Sequence, residues 1–135
     1  MTTFAFTDAK ILLGGTDVSA MAKEVSIELE ADSLDATAFG SSWRNKQGGL
    51  KSGNVGITFN QDFAAAQVDA TLFPLFGTVV TFEIRPTSAA RSATNPAYTG
   101  SLLVNAYSPL SNAVGDLAES KVSWPSTGIV QRLTA

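Results

Sequence analysis

Twelve carboxylates and nine basic side chains, with no cysteine and no histidine, set the chemistry open to this chain. The two absences exclude a thiolate nucleophile, a Ser-His-Asp triad, a disulfide framework and a Cys/His zinc site. Carboxylate chemistry is what stays open: a glycosidase-like pair of acids, or an all-oxygen metal site. Neither has its spacing here. No D-x-[DN]-x-[DN]-G loop occurs, and nothing in the order of the acids picks out two that should face each other. General acid–base work near neutral pH would require retuned carboxylates or lysines. The chain therefore reads as a non-enzyme, with no cofactor or metal expected.

What the charges do instead is segregate. Residues 1 to 40 carry Asp8, Asp17, Glu24, Glu28, Glu30, Asp32 and Asp35 against Lys10 and Lys23, a balance of −5. Residues 41 to 60 carry Arg44, Lys46 and Lys51 and no acid, a balance of +3. Patches of opposite sign let a surface meet a copy of itself head to tail, which gives rings or filaments according to whether the rotation closes. An ordinary solvated surface accounts for the same counts. A net charge of −3 and a pI near 4.7 argue against nucleic-acid binding through a basic stripe. An acidic strand face made by Glu24, Glu28 and Glu30 would suit a channel that lets DNA slide without holding it, and would equally suit a plain solvent face.

The elements that must position these groups are mostly strands. At 135 residues, 44% hydrophobic and 16% charged, the chain fits one globular domain, 1–135. Ala9 to Leu13 is a short strand stopped by Gly14 and Gly15. Val25, Ile27, Leu29 and Ala31 alternate with Glu24, Ser26, Glu28 and Glu30, and Val55, Ile57 and Phe59 alternate with Asn54, Thr58 and Asn60. These two half-buried strands should pair. Asp62 reads as the N-cap of a helix over Phe63 to about Phe76, shortened by Pro74 and ended by Gly77. Strands follow at Val80 to Ile84, Tyr98 to Leu110, Leu117 to Trp124 and Gly128 to Leu133, with a flexible tip at Thr87 to Ala97. The fold class is mainly β: a β-sandwich or partly open barrel of six or seven strands with one flanking α-helix.

Between the two alternating strands, about 32–53, lies a long inter-strand loop with no clear periodicity. Loops of that length inside a domain are usually functional. Phe39, Trp43 and Leu50 would gain nothing from a free linker, and an aromatic beside an arginine is the pairing enriched at interface hot spots. The loop therefore reads as an interface, with Trp43 covering the domain's own core as the plainer alternative.

The run LDATAFGSSWRNKQGGLKSGNVGITFNQDF resembles the tail tube (major tail) proteins of long non-contractile-tailed phages, prophages and gene transfer agents. The matching residues are Asp35 and Thr37, Phe39 and Gly40, Trp43 and Arg44, Gly48 to Leu50, Ser52, and Phe59 with Asp62. Across the rest of the chain only the order of elements follows. The resemblance implies a tail-tube-like fold, hexameric rings that stack into a hollow tube, and delivery of DNA through that tube without specific binding. It puts inter-subunit contact on Asp35, Thr37, Phe39, Trp43, Arg44, Lys46 and Leu50. It also implies tape-measure, tail terminator and tail-tip proteins as partners. The location would be the virion tail, after assembly in the host cytoplasm.

Two alternatives remain open at this point. One is another virion part: a tail terminator, a head–tail joining protein or a capsid decoration protein. The other is a monomeric β-sandwich module binding a ligand through Trp43, Trp124 and Tyr107, although Trp124, with Val122 on its face, fits a core position better. The N-terminus MTTFAFTDAK has no signal-peptide pattern and no apolar run reaches the roughly 20 residues needed to span a bilayer, so no membrane contact is expected.

Overall fold

Two antiparallel sheets enclose one core in the computed structural model, which describes residues 3 and 5–134. Met1, Thr2 and Phe4, in the N-terminal segment read above, and Ala135 lie outside the described residues. The strands are β1 Lys10–Leu13, β2 Thr16–Asp17, β3 Ala22–Asp35, β4 Lys46–Asn60, β5 Val79–Arg85, β6 Ala97–Leu103, β7 Glu119–Pro125 and β8 Gln131–Leu133. One sheet has the order β2-β1-β5-β6-β8 and the other β3-β4-β7. They meet at one corner, where Leu102 bridges Ser126 and the Thr127 N–H donates to the Ser101 carbonyl at 2.9 Å. The mainly-β expectation holds, with eight strands among the described residues and no closed barrel.

The core follows from alternation. Ile11 and Leu13, with Val80, Phe82 and Ile84 and then Leu102, turn inward from the larger sheet; Val55, Ile57, Phe59, Val122 and Trp124 turn inward from the smaller one. Side chains two residues apart share a face, so each run of alternating apolar residues fills one side of this layer. Gly100 has no side chain for a packing reason: a Cβ there would lie 3.0 Å from the Phe82 ring. Trp124 is fully buried, and its indole N–H donates to the Ala106 carbonyl at 2.8 Å.

Three sequence expectations change. The helix expected over 63–76 is a single turn, α1 Val68–Leu72, followed by a 3-10 turn at Phe73–Leu75. Asp62 caps earlier, accepting the Ala64 N–H at 2.9 Å in a turn, and Ala66 takes φ +61, which breaks any helix there. Pro74 leaves too few residues beyond for a stable longer helix. The strand expected to run to Leu110 stops at Leu103, because the following carbonyls serve other donors: Ala106 the Trp124 indole, Ser108 the Ser120 hydroxyl, Pro109 the Gln61 amide. The expected flexible tip at 87–97 is tied down. The buried Asn95 amide donates to the Ala89 and Ala90 carbonyls and accepts from the Thr87 N–H, and Arg91 pairs with Glu83.

Candidate functional site: the projecting hairpin

Most of the expected loop at 32–53 is strand. β3 runs unbroken to Asp35 and β4 begins at Lys46, in register from Glu24↔Thr58 through Asp35↔Lys46, with a bulge between Ala31 and Ser33. The irregular part is only 36–45. Alternation reports which face is buried, and here neither face is, so the pairing left no periodic trace. β7 accompanies β4 only as far as Asn54↔Pro125. From Gly53 outward the hairpin is two strands wide, and the six steps from Leu29 to Asp35 extend roughly 20 Å at about 3.3 Å per residue.

At the far end a network of hydrogen bonds closes the turn. Asp35 Oδ1 accepts the Thr37 N–H at 2.9 Å, and Asp35 Oδ2 accepts from Arg44 Nη1 at 2.9 Å with Lys46 Nζ at 3.8 Å. Thr37 Oγ1 accepts the Asn45 N–H at 2.8 Å, and the Ala36 N–H donates to the Asn45 carbonyl at 2.7 Å. Further out, the Ser41 hydroxyl donates to the Trp43 carbonyl at 2.8 Å, and Gly40 supplies the φ of +86 that the Ala38–Ser41 turn requires. Hydrogen bonds from Thr37, first from its side chain and then from its backbone, followed by that from Arg44, hold the Asp35 carboxyl below its ordinary range.

The rings of Phe39 and Trp43 stand outside this network, the residues 109% and 83% exposed. Leu34 and Leu50 on the shaft are also exposed. The expected interface residues thus divide: Asp35, Thr37, Arg44 and Lys46 come together as one cluster, Phe39 and Trp43 cap it on the turn, and Leu50 lies apart at the bulge opposite Asp32. Arg44 engages its own chain's carboxylate, a contact that the sequence reading did not assign to it. Asn45 was missed because it works through its backbone alone.

Glu24, Glu28 and Glu30 lie together on one exposed face of β3, beside Thr58, Asn54 and Ser52 of β4. Among the described residues none of the three is in an ion pair. At the root of the hairpin a cleft of about 670 Å³ opens between Leu29 and Gly53 on one side and Ile129 and Val130 on the other. Among the described residues no group of carboxylates could hold a metal ion. The ligand-binding trio does not form a surface: Trp124 is buried, and the Tyr107 hydroxyl, half-buried, donates to Asp69 at 2.8 Å.

No protein-family model and no curated protein matches the chain. Solved structures that contain chains of its fold include two gene transfer agent particles. One is the virion of a native gene transfer agent (GTA) particle, where the similar chain is 18% identical with a TM-score of 0.71, over 93% of this chain and 95% of that one. The other is the tail of an empty GTA particle with C6 symmetry, at 17% identity and a TM-score of 0.69, over 94% of each chain. The chain therefore has, from end to end, the tail-tube-like fold of a protein built into a GTA particle.

Proposed function

We propose that this chain is a structural, non-enzymatic virion protein whose hexameric rings stack into a hollow tail tube, with the β3–β4 hairpin tip as a contact between copies. The observation that carries the reading is the full-length match to a chain of a C6-symmetric tail, taken with a hairpin whose apolar tip has no cover in the monomer. Apolar side chains gathered on a projection gain by burial against a partner. Asp35, Thr37, Phe39, Trp43, Arg44, Lys46 and Leu50 make up the segment that carries that contact, and Glu24, Glu28 and Glu30 line the lumen, where like charge keeps passing DNA from sticking. Tape-measure, terminator and tail-tip proteins would then be its other partners in the virion, and assembly would occur in the host cytoplasm. A monomeric binding module is disfavoured by the burial of Trp124.

Electron microscopy of the purified protein across a concentration series tests the reading, with light scattering on the same samples. Sixfold rings or hollow tubes of uniform diameter are the expected outcome. A monomer at every concentration, also in the presence of preformed tail-tip complexes, would refute it.

A further inference from the structure

The residues at the hairpin tip do not all do the same work. Resting on the reading of the tip as a contact between copies, we infer that Asp35, Thr37 and Arg44 form a latch that fixes the shape of the turn, while Phe39 and Trp43 are the groups that dock on the second copy. Three observations carry the division. Each side chain of the latch has a partner within the chain: Asp35 with Thr37, Arg44 and Lys46, and Thr37 with Asn45. The rings of the two aromatics stand in solvent. The segment that carries them is a two-stranded ribbon with no sheet behind it, and such a ribbon alone is marginal in water.

Without the latch, residues 36–45 would sample many shapes, and docking would have to select one. Holding the loop in its bound shape removes that ordering cost from association. Arg44 is thus a positioning residue: its guanidinium reaches back nine residues to close the turn, and Trp43 is aimed by it. The occupant that receives the tip is another copy of this chain. That choice follows from the match over nearly the whole chain to one in a C6-symmetric tail, an arrangement in which copies meet copies.

The chain has no cysteine of its own, so an engineered pair can replace the latch covalently. The Ala36 N–H donates to the Asn45 carbonyl at 2.7 Å, which sets positions 36 and 45 opposite each other one step beyond the Asp35↔Lys46 pair, a juxtaposition suited to a disulfide. Arg44→Ala and Thr37→Val are each expected to raise the concentration at which scattering begins, by roughly three- to tenfold. Adding Ala36→Cys with Asn45→Cys, oxidised and verified by intact mass, should bring that concentration back to within about twofold of the parent, and reduction should undo the rescue. The same disulfide should not rescue Trp43→Ala. In the Arg44→Ala monomer the Thr37 and Asn45 amides should exchange with solvent faster than in the parent, a readout independent of assembly.

Unchanged exchange at those amides, or an Arg44→Ala defect that the closed disulfide leaves in place, would overturn the latch, the second by making Arg44 a direct contact. Normal assembly of Trp43→Ala would instead overturn the contact reading beneath it, so the two failures are separable.

Discussion

The two halves of the β3–β4 hairpin are made by the same two strands and differ in almost everything else. In the inner half, Val55, Ile57 and Phe59 are about 1% exposed, paired on one side with β3 and on the other with β7, and covered by the second sheet. In the outer half, Leu34 and Leu50 are 54% and 83% exposed, β7 has ended, and order is kept by a polar network at the turn. Burial of large apolar side chains stabilises the inner half by about 1.5–3 kcal/mol each. The outer half gains nothing comparable while the chain is alone. One end of the hairpin is covered by its own fold and the other is uncovered, and on the proposed reading a second copy completes it.

Substitutions that act on only one half sharpen the contrast. The largest effect belongs to the body: Trp124→Ala should cost roughly 3–5 kcal/mol of stability, since it empties a fully buried site and orphans the Ala106 carbonyl. Denaturant unfolding reads it, and a change below about 1 kcal/mol would mean that the two sheets are not held together where we place their core. Next is Trp43→Ala, which should leave unfolding within about 0.5 kcal/mol of the parent while weakening association by about 2 kcal/mol or more, the scale of an interface hot spot. A loss of monomer stability like that of Trp124 would break the distinction.

Glu28→Lys with Glu30→Lys acts on the shaft rather than its tip. Tubes should form at near-parent concentrations, yet particles carrying them should deliver DNA poorly, measured as transfer per particle. Normal transfer would remove these glutamates from the lumen. The smallest effect is expected at Asp17, far from the hairpin tip. Lys10, and then Ser19, hold its carboxyl down to about 2 by hydrogen bonding. A pKa lowered on folding contributes stability above the ordinary carboxylate value near 3.9, and this contribution fades as the pH falls towards 2. Because the side chain is 47% exposed, solvent screening keeps it below about 1 kcal/mol. Asp17→Asn should flatten the acid limb of the stability curve by that amount and leave neutral-pH assembly unchanged.

Legibility in the sequence followed the same boundary. Alternation marks the strand faces that are buried: Val55, Ile57 and Phe59, then Val80, Phe82 and Ile84, and Val122 with Trp124 each share one face, and the fold turns those faces inward. The outer hairpin reads as loop because Gly48, Gly49, Lys51 and Ser52 carry no periodic apolar signal, and their pairing lives in backbone hydrogen bonds that no side-chain pattern reports. The helix was overread for the opposite reason. Val68 and Leu72 do face the core, but Ala65 at the same spacing stays exposed and Ala66 at φ +61 ends the run before it starts. At the tip, residue types single out the segment that projects uncovered, since three large apolar groups in a glycine-rich stretch have little reason to be there. They could not separate the residues that shape the turn from those that protrude, because Arg44 beside Trp43 looks the same in either role until its partner, Asp35, is seen.

The central claim is that the tip is covered by a second copy, and the two tryptophans allow it to be tested in the unmodified protein. Trp124 is already buried and hydrogen-bonded, whereas Trp43 stands in solvent. Tryptophan emission and acrylamide quenching, followed together with light scattering through assembly, therefore report on Trp43. We expect the emission to shift to shorter wavelength, and the quenchable fraction, which Trp43 alone supplies, to be largely lost in step with the rise in scattering. Assembled particles in which Trp43 stays as quenchable as in the monomer would contradict the account.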